Sequence, residues 1–396
     1  MIAAFFDNIP AMILLTGALV AASGALLGTF LVLRGSAMLT DAISHSIVFG
    51  IIIVWLLTGA TAGIIPVLGA ALTGVLTVIL SEAVTRSGLV RSDAAVGLVF
   101  PALFAAGVIL ISLFARDVHI DVDTVLLGEI TFVWLDTVAL GGVPVPRAVL
   151  TLAIVFAVNL GFVLALWKEL KLTVFDPALA AALGFFPALI FYALLTLTSV
   201  TAVASFDAVG AVLFIAFVIV PPATAFLLTR RLGVMVLLAV GFGVASSAAG
   251  YALAVAWDVS IGGMMASMTG VFFTAALLFA PRDGLIAQTL HRRVQKLDND
   301  CITLVAHLYT HQDDANAAEE NTATALHTHL RWRAPRVQAA LLRALDREMI
   351  WREGERLHLA PKGSATARQI FEPWGMGADG SEGGSSLARD RGRGDA

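Results

Sequence analysis

The sequence is dominated by apolar stretches that are each long enough to cross a lipid bilayer. A spanning helix needs about 20 apolar residues, because each residue advances only about 1.5 Å through a hydrocarbon core about 30 Å thick. The qualifying stretches are 11–33, 38–58, 63–81, 94–114, 148–167, 186–203, 207–228, 233–256 and 261–280. They predict an all-α polytopic membrane protein with about nine transmembrane helices, or eight if 186–203, the weakest stretch, does not span.

Charged residues divide the chain into regions of different character. Residues 1–281 carry 9 of the 25 Lys and Arg residues and 13 of the 29 Asp and Glu residues, whereas 282–396 carries 16 of each. With 58% hydrophobic residues, the chain is too apolar to be soluble along its whole length. We predict a transmembrane domain at 1–281, a small water-exposed domain at 282–372, and a disordered Gly- and Ser-rich tail at 373–396.

The loops between the predicted spans alternate in charge. One set carries the basic residues Arg34, Arg86, Arg91, Lys168, Lys171, Arg230, Arg231 and Arg282. In the other set, basic residues occur only in the long acidic loop 115–147. Because Lys and Arg accumulate on the cytoplasmic side, the pattern predicts an outside N-terminus, a cytoplasmic 282–372 domain and an odd number of spans. Loop 115–147 then lies outside, as a folded lid or as a docking surface for an external partner.

Asp41 and His45 are the most prominent polar residues within a predicted span. Charged side chains inside a bilayer are costly and mark functional sites. Residues four apart share one helical face, so this carboxylate and imidazole form a partial ligand set for a divalent transition metal. Two ligands are too few to trap an ion, which suits a transport pathway. A buried Asp–His ion pair that holds helices together remains an alternative.

Residues 171–187 contain the signals of a short helix in a cytoplasmic loop. Asp176 is a suitable N-cap, Pro177 fits the first helical position, and Gly184 can end the helix. Such a helix is either a plain connector or a lever on which a partner acts. Spacing alone favours the connector.

Other polar and proline residues predict local features of the spans. Asn159 is expected to form a hydrogen bond between helices, as polar side chains in membranes do. Pro101 and the Pro221–Pro222 pair predict kinks or breaks, because proline removes a helical hydrogen bond. No phosphate-binding GxxxxGK[ST] motif is present, so uphill transport would need energy from a partner or an ion gradient.

The C-terminal region has the pattern of a small helical domain followed by a hairpin. Leu297–Tyr309 and Arg336–Met349 show helical apolar spacing, and Met349–Leu359 predicts two strands around a glycine turn. This order favours a winged-helix α+β domain. His307 and His311 lie one helical turn apart and could bind metal, although a solvated helix face is the favoured interpretation.

Residues 1–281 resemble the ABC-3 family, the permease subunits of ABC importers for zinc, manganese and iron. The similar segments, in the family's order, are Gly28–Gly50, Phe175–Phe185, Val209–Leu228 and Trp257–Phe273. The resemblance implies a non-enzymatic membrane permease in the bacterial cytoplasmic (inner) membrane. It also implies a transported divalent metal (manganese, iron or zinc) and no permanently bound cofactor.

The same resemblance implies partners and roles for particular residues. Two permease chains, identical or related, would form the pore within the lipid, with Asp41 and His45 of each on the metal path. A separate ATP-binding subunit would use ATP, and an external binding protein would deliver the metal. The ATPase would dock on Phe175, Asp176, Pro177, Ala178, Leu179, Ala180, Ala181, Ala182, Leu183 and Gly184, which reverses the preference for a passive connector.

Residues 331–371 are similar to the winged-helix part of diphtheria-toxin-repressor-type regulators. In that interpretation Arg333–Met349 is the recognition helix and 352–356 the wing tip, and DNA contact would use Arg331, Arg333 and Arg336. The 282–372 region has 13 basic and 12 acidic residues, so it lacks a strong basic footprint. A regulatory or protein-contact role is therefore favoured over DNA binding. A membrane-tethered metal-responsive regulator and a gradient-driven carrier are the alternative functions.

Overall fold

The computed structural model describes residues 8–59, 64–114, 128, 130–140, 143–312 and 321–372. The chain divides into two compact units, Met1–Leu285 and Ile286–Ala396. This division lies close to the domain boundary predicted at 281. The predicted disordered tail, 373–396, lies outside the described residues.

The first unit is built almost entirely of helices. They are α1 (Ile9–Leu33), α2 (Met38–Thr58), α3 (Ile64–Arg86), α4 (Ser92–Phe114), α5 (Arg147–Ala165), α6 (Trp167–Phe175), α7 (Pro177–Ala182), α8 (Pro187–Leu228), α9 (Leu232–Trp257) and α10 (Ile261–Phe279). A short antiparallel pair, β1 (Thr137–Leu140) and β2 (Val143–Pro146), precedes α5. Among the described residues, nine helical segments are long and apolar enough to cross a membrane. The predicted polytopic fold is thereby confirmed.

The long helix α8 supplies two of these spans, Pro187–Phe206 and Ala208–Leu228. Its backbone leaves the helical conformation at Gly210, where φ is 75° and ψ is 167°. The ring centroids of Phe206 and Phe214 lie only 5.8 Å apart, whereas eight residues of straight helix would advance about 12 Å. The chain therefore bends sharply at Gly210.

A second glycine, Gly128, lies against this bend. A Cβ atom on Gly128 would lie 2.1 Å from the backbone of Val209 and Gly210, so only glycine fits there. Of the kinks or breaks predicted at Pro101 and Pro221–Pro222, breaks do not occur, because both helices continue through these prolines, and the kinks stay a prediction. The freed backbone groups of membrane prolines can be satisfied by neighbouring helices, so a proline need not end a span.

Helix α1 forms the centre of the first unit. In its most apolar window 72% of the residues are buried, against 22% for α4. It packs against α8, α9 and α5. A Cβ atom on Gly28 would lie 1.9 Å from the carbonyl oxygen of Val218, so α1 and α8 meet backbone to backbone. Small residues allow such close approach between membrane helices.

Helices α2, α3 and α4 form a neighbouring group. Gly50 of α2 faces Gly69 of α3, and an added Cβ on Gly50 would lie 2.4 Å from the Gly69 carbonyl oxygen. The predicted hydrogen bond of Asn159 is confirmed: its amide nitrogen donates to Thr201 Oγ1 on α8 at 2.8 Å. The first contact joins consecutive helices, whereas the second joins residues that are 42 positions apart in the sequence.

The described residues of the second unit form four helices and one hairpin. They are α11 (Leu285–Thr310), which begins one residue before the unit, α12 (Ala323–His329), α13 (Ala334–Asp346), β3 (Ile350–Glu353), β4 (Arg356–Leu359) and α14 (Pro361–Phe371). The strands are antiparallel and pair Ile350 with Leu359, and Gly354 at their turn has φ +62°. The helices and hairpin predicted here are present, while the winged-helix assignment stays a prediction.

The second unit has its own apolar core and a group of ion pairs that connect α11 with the α13 region. The core consists of Cys301, Leu304, Val305, Leu308, Leu326, Trp332, Val337, Ala340, Leu341, Ala344, Met349, Ile350, Leu357 and Ala367. Arg343 and Arg347 of the α13 region contact the Asp298 carboxylate of α11 at 3.0 and 2.7 Å. Desolvation opposes the charged form, but the two arginines outweigh it and lower the pKa of Asp298.

Candidate functional site

Asp41 and His45 occupy the first two turns of α2. Because the helix begins at Met38, the Asp41 carboxylate lies in its first turn, where the helix dipole favours a negative charge. His45 Nε2 lies 3.4 Å from Asp41 Oδ1, and both side chains are about one-third exposed (35% and 34%). The pair belongs to a single helix and an open face. It therefore does not have the geometry of a buried ion pair joining two helices.

Two aromatic rings of α4 position the His45 imidazole. The Phe100 ring stacks on it with a centroid distance of 5.8 Å, and the Phe104 ring meets it edge-on at 6.3 Å. These contacts restrict the imidazole on its α4 side. They leave the Asp41 side as the direction in which the nitrogen atoms can act as ligands.

Hydroxyl groups brace the helical turn that carries the pair. Ser44 Oγ donates to the Asp41 carbonyl oxygen at 2.7 Å. Ser46 Oγ lies 2.7 Å from Thr77 Oγ1, which connects this turn to α3. All three hydroxyl-bearing residues are buried. The geometry of Asp41 and His45 is thus supported by two neighbouring helices.

A single chain provides only part of a metal site here. Across the described ranges, no group of three or more His, Cys, Asp and Glu side chains is arranged to hold a metal ion. The acidic residues Asp121, Asp123 and Glu129 of the loop 115–147 lie outside the described residues. Asp136, also in that loop, pairs with Arg147 at 3.6 Å.

The predicted short helix of 171–187 is present with both of its caps. Asp176 Oδ1 accepts from the Leu179 backbone N–H at 2.9 Å, and Pro177 begins α7. At the other end Gly184 has φ +87°, and the Phe185 N–H donates to the Ala180 carbonyl at 3.0 Å. These bonds satisfy backbone groups that a helix end leaves free, which makes α7 a well-defined local unit.

Large apolar side chains around α7 are exposed. The coupling face, as we name it, consists of Phe175, Leu179, Leu183, Phe185, Phe186 and Leu189. Leu183 is 60% exposed and Phe186 71%. Within α7 only Ala180 is buried. Large exposed apolar side chains concentrated in one short segment indicate a contact with protein or lipid.

A polar cluster that was not predicted lies where α1, α3 and α8 approach each other. The Tyr192 hydroxyl donates to Glu82, and Arg86 Nη2 lies 2.6 Å from Glu82 Oε1. The Arg34 guanidinium lies over the Phe191 ring at 3.7 Å, and the Glu82 charge also acts on it. The cluster joins the loop after α1 to the end of α3 and the first turns of α8. The sequence feature that could have revealed this cluster is Glu82, an acidic residue near the end of an apolar span.

The three arginines predicted to contact DNA differ in their surroundings. Arg331 and Arg333 are exposed. Arg336 donates from Nε and Nη2 to the buried Asp300 carboxylate at 2.8 and 2.6 Å, and lies over the Trp332 ring at 4.4 Å. The Nε and Nη2 groups of Arg336 therefore already donate to a carboxylate within the second unit.

Comparisons with known proteins cover most of the chain. Residues 7–280 match the model of the ABC 3 transport family. The zinc transport system membrane protein TroD of Treponema pallidum is 43% identical over 356 residues, covering 90% of this chain and 97% of that protein. The manganese transport system membrane protein MntD of Bacillus subtilis is 48% identical over 281 residues, covering 71% of this chain and 95% of that protein.

A solved structure shares the fold. It is titled PsaBC from Streptococcus pneumoniae in complex with Fab, and one of its chains aligns with a TM-score of 0.59 and 27% identity. The alignment covers 72% of this chain and 98% of that chain. The TroD match is too long to fit within the first unit alone, so it extends into the second.

Proposed function

The chain belongs to the ABC 3 transport family, and we propose that it is the membrane permease of an ATP-driven importer for a divalent transition metal. The family resemblance predicted from four sequence motifs is confirmed. The protein is a multi-pass transporter rather than an enzyme. The observation that carries the metal assignment is the Asp41–His45 pair, which is one-third exposed within an otherwise apolar span.

We propose that two permease chains complete the metal site. One chain supplies a carboxylate and an imidazole, while a transition-metal site needs about four ligands. A pair of related chains around a two-fold axis would bring two such half-sites together. Each half alone holds the ion weakly, so the ion can leave when the chains move apart.

The donor atoms restrict the transported ion to a class. Imidazole suits zinc and iron, and carboxylate oxygen suits manganese. The named relatives belong to zinc and manganese transport systems. We therefore propose manganese, zinc or iron as the cargo, to be ranked by competition for uptake in vesicles.

The test of the metal path is uptake by the assembled complex in proteoliposomes. Asp41→Ala and His45→Ala should each abolish ATP-dependent uptake, because each removes half of the ligands from one chain. The matched control is Asp93→Asn, which changes an exposed carboxylate in the first turn of another span, α4. Unchanged uptake in both site variants would remove the assignment. Uptake without an ATPase would instead support a gradient-driven carrier.

We propose that the coupling face binds the ATPase subunit. A short helix that is capped at both ends and carries exposed Phe and Leu side chains can pass a movement of the bound ATPase to the permease without unfolding. Leu183→Asp should abolish co-purification of the ATPase. Leu89→Asp, in the basic loop between α3 and α4, is the control, since Leu89 is 88% exposed and lies outside the coupling face. Equal loss in both variants would argue against a specific contact.

We propose that the chain lies in the bacterial cytoplasmic membrane with its second unit inside, as loop charge predicts. The only cysteine, Cys301, is buried, and burial raises the pKa of its thiol, so background labelling is low. In intact cells an impermeant maleimide should label Val259→Cys but not Ser87→Cys. The reverse pattern would invert the topology.

For the second unit we propose a regulatory or protein-contact role. Its charge is balanced, and Arg336 is committed to Asp300. Arg331 and Arg333 remain the candidate contacts for DNA. Salt-sensitive, sequence-specific DNA binding by the full chain that is lost in Arg333→Ala would favour the membrane-tethered regulator instead.

A further inference from the structure

Three histidines meet in the second unit, although only two are close in sequence. His307 and His311 lie one turn apart on α11, with ring centroids 4.6 Å apart. His329, from the last turn of α12, lies 5.8 Å from the His307 ring and 6.4 Å from the His311 ring. A solvated helix face does not explain this arrangement, because the third imidazole comes from a different helix.

We propose that His307, His311 and His329 form a second metal site, distinct from the Asp41–His45 pair, for an ion of the zinc class. Two histidines four residues apart on one helix are a common pair of zinc ligands. With metal–nitrogen distances of about 2.0–2.1 Å and tetrahedral angles, coordinated imidazole centroids lie about 5 Å apart. The His307–His311 separation of 4.6 Å is near this value, whereas His329 lies 5.8 and 6.4 Å from the two rings and must move closer to bind the same ion.

Binding requires the rings to turn toward a common point. In the described part of the chain no three ligand side chains already surround an ion-sized space. His307 and His311 are partly buried, while His329 is exposed. The exposed ring can therefore change rotamer without disturbing the core, and the partly buried pair provides a fixed base.

The donor set selects the kind of ion. Three neutral imidazoles suit zinc, copper, iron and nickel, whereas manganese and magnesium prefer oxygen ligands. Three protein ligands leave one tetrahedral position for water, so the ion exchanges with solution. The site depends on these imidazoles alone and would exist whether or not the proposed transport function holds.

The experiment uses the full chain in detergent. The chain carries Asp41→Ala and His45→Ala so that the membrane pair cannot bind the added metal. Titration with cobalt(II), a spectroscopic substitute for zinc, should give one bound ion per chain with the intense visible absorption of tetrahedral cobalt. His329→Ala should weaken binding by at least about tenfold, since loss of a group that merely supports a ligand costs about 10–100-fold. His327→Ala, on the same helix and equally exposed, is the matched control and should bind normally.

A second variant tests the contact directly. His329→Cys should retain cobalt and add a sulfur-to-cobalt charge-transfer band in the near ultraviolet. Circular dichroism checks that each variant keeps its helices. The proposal is overturned if the parent binds no tetrahedral cobalt, if His329→Ala binds as the parent does, or if the cysteine variant shows no new band.

Discussion

The close contact between α1 and α8 gives a quantitative prediction for Gly28→Ala. The added Cβ would lie 1.9 Å from the Val218 carbonyl oxygen, whereas carbon and oxygen in contact need about 3.3 Å. The two helices must therefore separate locally by about 1.4 Å. Because the obstacle is backbone, it cannot rotate away, and we expect a loss of about 1–3 kcal/mol or more, as in other overpacked interiors.

Gly161→Ala in α5 is the matched control. Nothing lies within 4 Å of a Cβ at that position, so alanine should be neutral or stabilising through its higher helix propensity. The assay is the thermal unfolding temperature of the detergent-solubilised chain. Gly28→Ala should unfold several degrees below the parent, and Gly161→Ala at or above it. An unchanged unfolding temperature in Gly28→Ala would refute the backbone-contact argument.

Three further predictions concern polar groups. The lowered pKa of Asp298 means that its ion pairs stabilise the second unit above about pH 4 and lose this effect as pH falls through the folded pKa. Asp298→Asn should show a smaller acid-induced change in Trp fluorescence between pH 5 and 2 than the parent. Asn159→Ala should cost about 0.6 kcal/mol, as membrane hydrogen bonds do, and should be non-additive with Thr201→Val in a double-mutant cycle. Glu82→Ala should destabilise the first unit by about 0.5–1.5 kcal/mol in thermal unfolding, because it removes the acceptor of the hydrogen bonds from Tyr192 and Arg86.

The number of spans followed from the sequence, but the path of the chain did not. Apolar length predicts where a helix can cross, and each of the nine predicted stretches corresponds to a described span. The bend at Gly210 was not predicted, because glycine is common in membrane helices and most glycines leave the helix intact. The bend lies against Gly128, about 80 residues earlier, and local sequence patterns do not reveal such a contact.

The candidate functional residues show the same division. The four-residue spacing of Asp41 and His45 predicted that their side chains are neighbours on one helix. The capping residues Asp176 and Gly184 predicted the two ends of α7. His329 was not recognised, because periodicity finds partners only within one helix. Tyr192 and Glu82 are 110 residues apart, so their hydrogen bond follows only from tertiary packing.

The central position of α1 has a consequence for biosynthesis. Among the described spans this helix leaves the ribosome first, yet Val218, the residue against which Gly28 packs, is made 190 residues later. At a synthesis rate of about 5–20 residues per second, α1 waits on the order of 10–40 s before its main neighbour exists. During that interval its small-residue surface faces lipid or the insertion machinery, where another helix could pair with it prematurely. The backbone-to-backbone fit between α1 and α8 therefore also requires the Gly28 surface of α1 to stay free of other helices until α8 is inserted.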